Sequence, residues 1–213
     1  MTFLVMDTSG EYAVLALAED DGSVRAATVF EGRRSLSRRI MGEMDSLLKN
    51  NGLTLQDLSA LAVGLGPGSF TGVRVGVTTA KTLAQVTGKP LVGVGTLDAY
   101  ASVWPGEDTQ TSIVPILPSR RGEVYLACYQ GGQLSRGPMA MSLAETAEYL
   151  TQLQAGDGVM LCGQPQLLPE WSNALSLTQR WTPPEGLARL SARRLAAGEA
   201  DDLFALVPLY VVA

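Results

Sequence analysis

The hydrophobic period first changes near residue 35, and that change limits what the chain can fold into. Residues 2–6 are a continuous apolar run ending in the turn Asp7-Thr8-Ser9-Gly10. Residues 12–18 form a second run, Glu19-Asp20-Asp21-Gly22 supplies a hairpin turn with an Asp-Gly step, and residues 24–30 form a third. Short apolar runs punctuated this way read as a three-stranded meander. Leu36, Ile40, Met44, Leu47 and Leu48 then fall at i, i+4, i+8, i+11 and i+12, one face of a helix that Gly52 stops. Thr54 with Asp57 resembles a capping box on a short helical turn. A strand at 61–65, a glycine-rich loop at 66–72, a helix at 73–87 stopped by Gly88, a strand at 91–94 and a helix from Thr96 complete the first half. The order β-β-β-α-β-α-β-α makes the helices crossovers after a meander, which is an α/β architecture.

A polar, turn-rich stretch at 104–112 marks the expected domain boundary, and 213 residues leave room for a second unit of about 100 residues. Strands resume at 113–117 and 123–129, and Gly131-Gly132 turns the chain into a third. Ser142 with Glu145 caps a helix reaching about residue 154, a strand follows at 158–162, and 186–197 is a helix ended by Gly198. The Pro- and Trp-rich stretch 164–184 gives no assignment. The related order of the two halves points to a duplicated α/β unit, although no sequence repeat is visible.

Histidine is absent, which excludes a His-based triad or dyad, an imidazole general base and a His-ligated metal. The two cysteines, Cys128 and Cys162, sit in apolar segments and read as buried thiols in a reducing cytosol. The apolar start is cut short by Asp7 and has no basic region, so it reads as a first strand rather than a signal peptide. The formal net charge is -5, which opposes tight binding of a phosphate backbone by the chain alone. Arg33, Arg34, Arg38 and Arg39 flank the start of the first long helix, either as a solvated face or as a surface for an acidic partner.

The segment Gly66-Pro67-Gly68-Ser69-Phe70-Thr71-Gly72-Val73-Arg74 is the most informative. Its glycines permit a sharp turn or a close backbone approach, Ser69 and Thr71 can cap the following helix, and the first-turn N–H groups can hold an anion. It lacks the Gly-Lys-Ser/Thr of a Walker loop and the dinucleotide spacing. Gly72, Gly76, Ala80 and Ala84 recur every four residues, a smooth stripe suited to core packing or to a subunit interface. Asp7-Thr8-Ser9-Gly10 stands where an actin-like fold places a metal- and phosphate-binding turn, but it also reads as an ordinary hairpin turn.

Taken together, GPGSFTGVRVG (66–76) running on through TTAKTLA, the opening LVMDTS, LVGVGTLDAYA (91–101), RRGEVY (120–125) and PLY (208–210) resemble the TsaB family. These are bacterial proteins required for making threonylcarbamoyladenosine on tRNA. The resemblance implies a two-lobed actin-like ATPase fold, ribonuclease H-like in its lobes, with a degenerate nucleotide site. The lobes are expected at 1–104 and 105–213, with the last residues packing back on the first. Asp7, Thr8 and Ser9 would then be a vestigial phosphate loop.

The resemblance also implies a cytoplasmic, non-catalytic partner of a catalytic subunit, TsaD, which carries a His-x-x-x-His metal site. TsaE, a small ATPase, is a further expected partner, and self-association through the same helical surface is expected when the chain is alone. No cofactor is expected on this chain; ATP or ADP and metal belong on the partner subunits, and tRNA is met only through the complex. The expected interface comprises Leu36, Ile40, Met44, Phe70, Val73, Arg74, Val77 and Ala80, beside the loop residues Gly66, Pro67, Gly68, Ser69, Thr71 and Gly72. Three departures stand out. The family's His-Ser-Glu-like helix opening is Leu36, Ser37 and Arg38, the frequent Asp before Arg-Arg-Gly-Glu-Val-Tyr is Ser119, and the tail ends Val211-Val212-Ala213.

Two catalytic readings compete with this one. A small phosphotransferase would use Asp7 for Mg²⁺ and the Ser9 backbone for phosphate, and would need a second acidic loop near Ser119. A peptidase would need a base other than histidine, and Lys81 lies ten residues from Thr71, too far along a helix to serve it.

Overall fold

The fold was taken from a computed structural model, which describes residues 1–32, 35–104, 110–154, 158–168, 171, 176–178 and 180–211. Arg33 and Arg34 lie outside the described residues, as do Val212 and Ala213.

The meander is present as β1 (Thr2–Asp7), β2 (Tyr12–Glu19) and β3 (Val24–Glu31), paired antiparallel. Helix α1 (Leu36–Asn50) crosses to β4 (Leu61–Gly64), α2 (Phe70–Thr87) crosses to β5 (Leu91–Val94), and α3 (Thr96–Ser102) leads out. The crossovers make β4 parallel to β1 and β5 parallel to β4, giving the sheet order β3-β2-β1-β4-β5. The Thr54–Asp57 capping box forms on a 3-10 turn at Leu55–Asp57.

The second half repeats the plan with β6 (Ser112–Pro118), β7 (Glu123–Gln130), β8 (Gln133–Ser142), α4 (Leu143–Gln154), β9 (Val159–Gly163) and β10 (Ser176–Thr178). Its sheet reads β8-β7-β6-β9-β10, the same order as the first, with β9 parallel to β6 and β10 parallel to β9. The duplication expected from element order is therefore a duplication of topology. Ser142 and Glu145 cap α4 reciprocally: the Glu145 carboxylate accepts from the Ser142 N–H at 2.9 Å, and the Ser142 hydroxyl accepts from the Glu145 N–H at 3.2 Å.

In sequence, α3 ends at Ser102 and β6 begins at Ser112, and helices from each half pack on the sheet of the other. Helix α5 (Pro184–Ala196) leaves the second sheet and lies on the first, where Leu187, Ala188 and Ala192 pack with Phe3, Val5, Ala16 and Val92. Helix α3 does the reverse: Leu97, Tyr100 and Ala101 pack with Ile113, Leu117 and Tyr129 of the second half. The two helices meet so closely that a Cβ on Gly186 would overlap the Ala99 carbonyl oxygen. Helical spacing identifies the apolar face of α5 but not which sheet that face meets.

Past α5 the chain stays on the first lobe. The Arg194 guanidinium donates to Asp201 at 2.9 Å from each of two nitrogens and to the Gly93 carbonyl at 2.7 Å. The Gly93 N–H donates to the Asp201 carboxylate at 2.6 Å, and Asp201 N–H donates to the Leu91 carbonyl. Lys81 donates to the Leu206 carbonyl at 2.9 Å, and the Leu209 N–H to the Leu65 carbonyl. From α5 onward the described chain therefore bonds mainly to the first lobe. Cys128 and Cys162 are free and buried, and burial pushes the Cys162 thiol up to about 12. Among the described residues no helix is long and apolar enough to cross a membrane.

Replacing Arg194 by Ala removes a charge-assisted fork and leaves Asp201 against backbone donors alone. We expect a loss of about 1–3 kcal/mol, read by urea denaturation, with no change in sheet content by circular dichroism.

Candidate functional site

The glycine-rich loop joins β4 to α2 and lies on the turn after β1. The Ser69 N–H donates to the Ser9 carbonyl at 2.7 Å, and the Thr8 hydroxyl donates to the Gly72 carbonyl at 2.7 Å. The Ser69 hydroxyl accepts from the Gly72 N–H at 3.3 Å, capping α2 as its position suggested, whereas Thr71 is exposed inside the helix. A Cβ on Gly68 would overlap the Ser9 carbonyl, one on Gly72 the Thr8 carbonyl, and one on Gly76 the Thr8 hydroxyl. The glycines therefore serve close approach to the chain's own backbone. The stripe Gly72, Gly76, Ala80 and Ala84 is buried against the lobe's own sheet, which settles its packing role. Gly66, at φ +90°, bonds Thr96 from both sides: its N–H donates to the Thr96 hydroxyl and its carbonyl accepts from the Thr96 N–H.

Asp7, Thr8 and Ser9 are buried, with Asp7 only 1% exposed. The Asp7 carboxylate accepts from the Ser9 N–H at 2.7 Å and from the Thr96 hydroxyl at 2.8 Å. Burial raises its pKa, opposed by hydrogen bonds from Ser9, Thr96 and Thr182. A metal–phosphate turn needs an open carboxylate and free backbone donors. Here each carboxylate oxygen already accepts a hydrogen bond from the protein, and the Ser69 N–H is spent on the Ser9 carbonyl. Lys81, the lysine considered for a peptidase dyad, is committed to the Leu206 carbonyl.

The outer faces of α1 and α2 form the second part of the site. Of the expected contact residues, Ile40, Met44, Val73, Val77 and Ala80 are buried in the lobe's own core, and Leu36 is half-buried against it. The structure corrects that selection: the apolar positions that define each helical face are those the sheet claims. What α2 presents outward is Phe70, 58% exposed, together with Thr71, Arg74 and Thr78. The Arg74 guanidinium lies 5.2 Å from the Phe70 ring centroid, and the Tyr210 ring centroid lies 5.4 Å from it. Arg74, Val75, Thr78 and Thr79 continue a shallow groove from Phe70 of about 390 Å³. On α1, Met41 is exposed, Arg39 pairs with Glu43 at 2.6 Å, and Arg38 is exposed.

Sequence reasoning missed Tyr210, Leu209 and the 199–211 strap as neighbours of α2. The tail's motif was visible, but its docking depends on contacts that no local pattern encodes. Met41 was missed because it falls off the helical apolar face.

Two lobes of matching strand order, joined through crossed helices, define an actin-like ATPase fold. Comparison with known proteins agrees with that class and narrows it. Residues 31–158 match the family model described as "TsaD: tRNA N6-adenosine threonylcarbamoyltransferase". The chain is 41% identical over 130 residues to the Bacillus subtilis protein called tRNA threonylcarbamoyladenosine biosynthesis protein TsaB, covering 61% of this chain and 56% of that one. It is 40% identical over 131 residues to the Escherichia coli protein of the same name, covering 61% and 55%. The aligned stretch thus spans little more than half the length of these relatives. An uncharacterised Mycobacterium tuberculosis protein is 30% identical over 212 residues, covering 99% of this chain and 91% of that one. A solved Pseudomonas aeruginosa structure, titled as similar to the peptidase YeaZ, superposes with a TM-score of 0.82 at 26% identity, covering 99% of both chains. The chain belongs to the family that the model describes, and its named relatives within it are TsaB proteins.

Two outcomes test the closed turn. Gly72→Ala should cost about 1–3 kcal/mol in denaturant, because its methyl has to displace the Thr8 backbone. Asp7 has a folded-state pKa above its unfolded value, so its contribution is fully present below the unfolded value near pH 4 and is lost as pH rises through the folded one. Stability of the wild type relative to Asp7→Asn should therefore increase as pH falls from 7 toward 4, measured by denaturation at each pH.

Proposed function

We propose that the chain is a non-catalytic partner subunit in the synthesis of threonylcarbamoyladenosine on tRNA, supporting a TsaD-type catalytic subunit. The observation that carries this reading is the division of the first lobe. Its carboxylate turn is spent on internal hydrogen bonds, while the neighbouring helix presents an aromatic and a guanidinium to solvent. A side chain enclosed by the protein cannot take up a substrate, but an exposed Phe70 beside Arg74 and Tyr210 suits a protein partner, since aromatic and arginine side chains dominate interface energies.

In this reading the outer faces of α1 and α2 pack on the equivalent helices of TsaD. The same faces join two copies when TsaD is absent. TsaE engages the assembled complex, ATP or ADP and metal reside on the partner subunits, and tRNA is met only through the assembly in the cytoplasm. The net charge of -5 supports the last point, because a chain of this sign does not hold a phosphate backbone tightly by itself. The departures at Leu36 and Arg38 fall at the start of α1, where they would tune partner choice rather than the fold.

Copurification with TsaD tests the proposal. Wild-type protein should associate, and Phe70→Asp or Arg74→Glu should weaken association by about 2 kcal/mol or more without loss of folded structure. Ala80→Arg is expected to unfold the chain instead, because Ala80 has no exposed surface. No association by the wild type, or turnover of substrate by the isolated chain, overturns the reading.

A further inference from the structure

A cavity of about 560 Å³ opens between the lobes, away from the closed turn and from the α2 face. Its walls come from five places: the end of β5, α3 with Trp104 beyond it, Ile113 of β6, the outer side of α5 and the β7–β8 hairpin. None of its described lining residues belongs to the Asp7–Ser9 turn or to the 66–72 loop. The volume lies in the range of small-molecule sites, roughly 300–1,000 Å³.

The charged groups on its walls are not equally committed. Arg194 is held by Asp201, Glu199 and the Gly93 carbonyl, which makes it structural. Asp98 accepts the Tyr129 hydroxyl at 2.6 Å, which ties α3 to the second sheet and occupies one carboxylate oxygen. Arg189 spends one nitrogen on the Ser102 carbonyl at 2.5 Å. The Arg193 side chain is exposed and makes no hydrogen bond or ion pair among the described residues; only its backbone carbonyl is used, accepting from the Ala197 N–H. Two guanidiniums with donors to spare thus stand on one helix at the rim of a concave space. The remaining surface is apolar and partly aromatic, from Trp104, Leu134 and Leu190.

We propose that this inter-lobe cavity is a binding site for a small anion carrying a planar apolar body, a carboxylate or a phosphate ester. Arg189 and Arg193 take the anionic group, because a guanidinium matches both oxyanions with a planar fork. The Trp104 ring and the leucine side chains pack on the body, removing apolar surface from water. Cations that the protein itself leaves unpaired are met by the ligand, whereas Arg194 keeps the floor in place. The proposal does not depend on the partner role argued above, since it concerns a different part of the molecule.

The test uses the full chain labelled with ¹⁵N, titrated separately with phenyl phosphate, benzoate and inorganic phosphate. Saturable amide shifts at 93–104 and 129–134 are expected with at least one of the two ring-bearing anions, and the tighter of these tells ester from carboxylate. Inorganic phosphate, which lacks the ring, should bind more weakly. Arg193→Ala should weaken binding about tenfold and Arg193→Lys by less, while Arg38→Ala, on the opposite side of the lobe's sheet, should leave it unchanged. The Arg193 side chain makes no other described hydrogen bond or ion pair, and its carbonyl bond to Ala197 survives the substitution, so its loss should not disturb the fold. Absence of saturable shifts up to about 10 mM of both ring-bearing anions, shifts confined to other regions, or full affinity in Arg193→Ala would overturn the proposal.

Discussion

The structure depends on one close approach, that of the glycine-rich loop to the backbone after β1. Thr8 and Ser9 lie against Gly68, Gly72 and Gly76 with no room for a side chain at any of the three. Two hydrogen bonds of 2.7 Å fix the register. This contact sets where α2 starts, and so which of its residues face the sheet and which face outward. It also spends the Ser69 N–H and the Thr8 hydroxyl inside the protein. One contact therefore both satisfies the turn's own polar groups and fixes the outward face of α2.

Much of this was legible in the chain. The period change near residue 35, the Asp-Gly hairpin and the Ser142–Glu145 box are local signals, and local hydrogen bonds answer them. The glycine-rich loop was recognisable as the key segment, but its spacing fits an anion site as well as a packed turn. The choice was made by Thr8 and Ser9, some sixty residues earlier. The expected interface went partly astray for a related reason: apolar residues at helical spacing mark the face a helix buries. Ile40, Met44, Val73 and Val77 are therefore core, and the outward set is the polar-looking remainder punctuated by Phe70 and Met41. In the least legible region, 164–184, the described residues include a 3-10 turn at Pro165–Leu167 and β10, which pairs with β9.

The two concave regions divide the roles. Near the glycine-rich loop the protein satisfies its own polar groups and turns aromatic and cationic side chains outward. Between the lobes, α5 brings three arginines to one wall and anchors only one of them fully. Reading the family alone directs attention to the first region. The distribution of paired and unpaired charge directs it also to the second.

The crossed packing of α3 and α5 reaches back to the order in which the polypeptide is made. Phe3, Val5 and Val92 are synthesised early, yet the helix that shields them, beginning at Pro184, emerges only after every strand of the second sheet. A nascent first lobe leaving the ribosome therefore has one oily side bare, and cannot mature as an independent unit. Maturation of the two halves is thereby joined into a single late event.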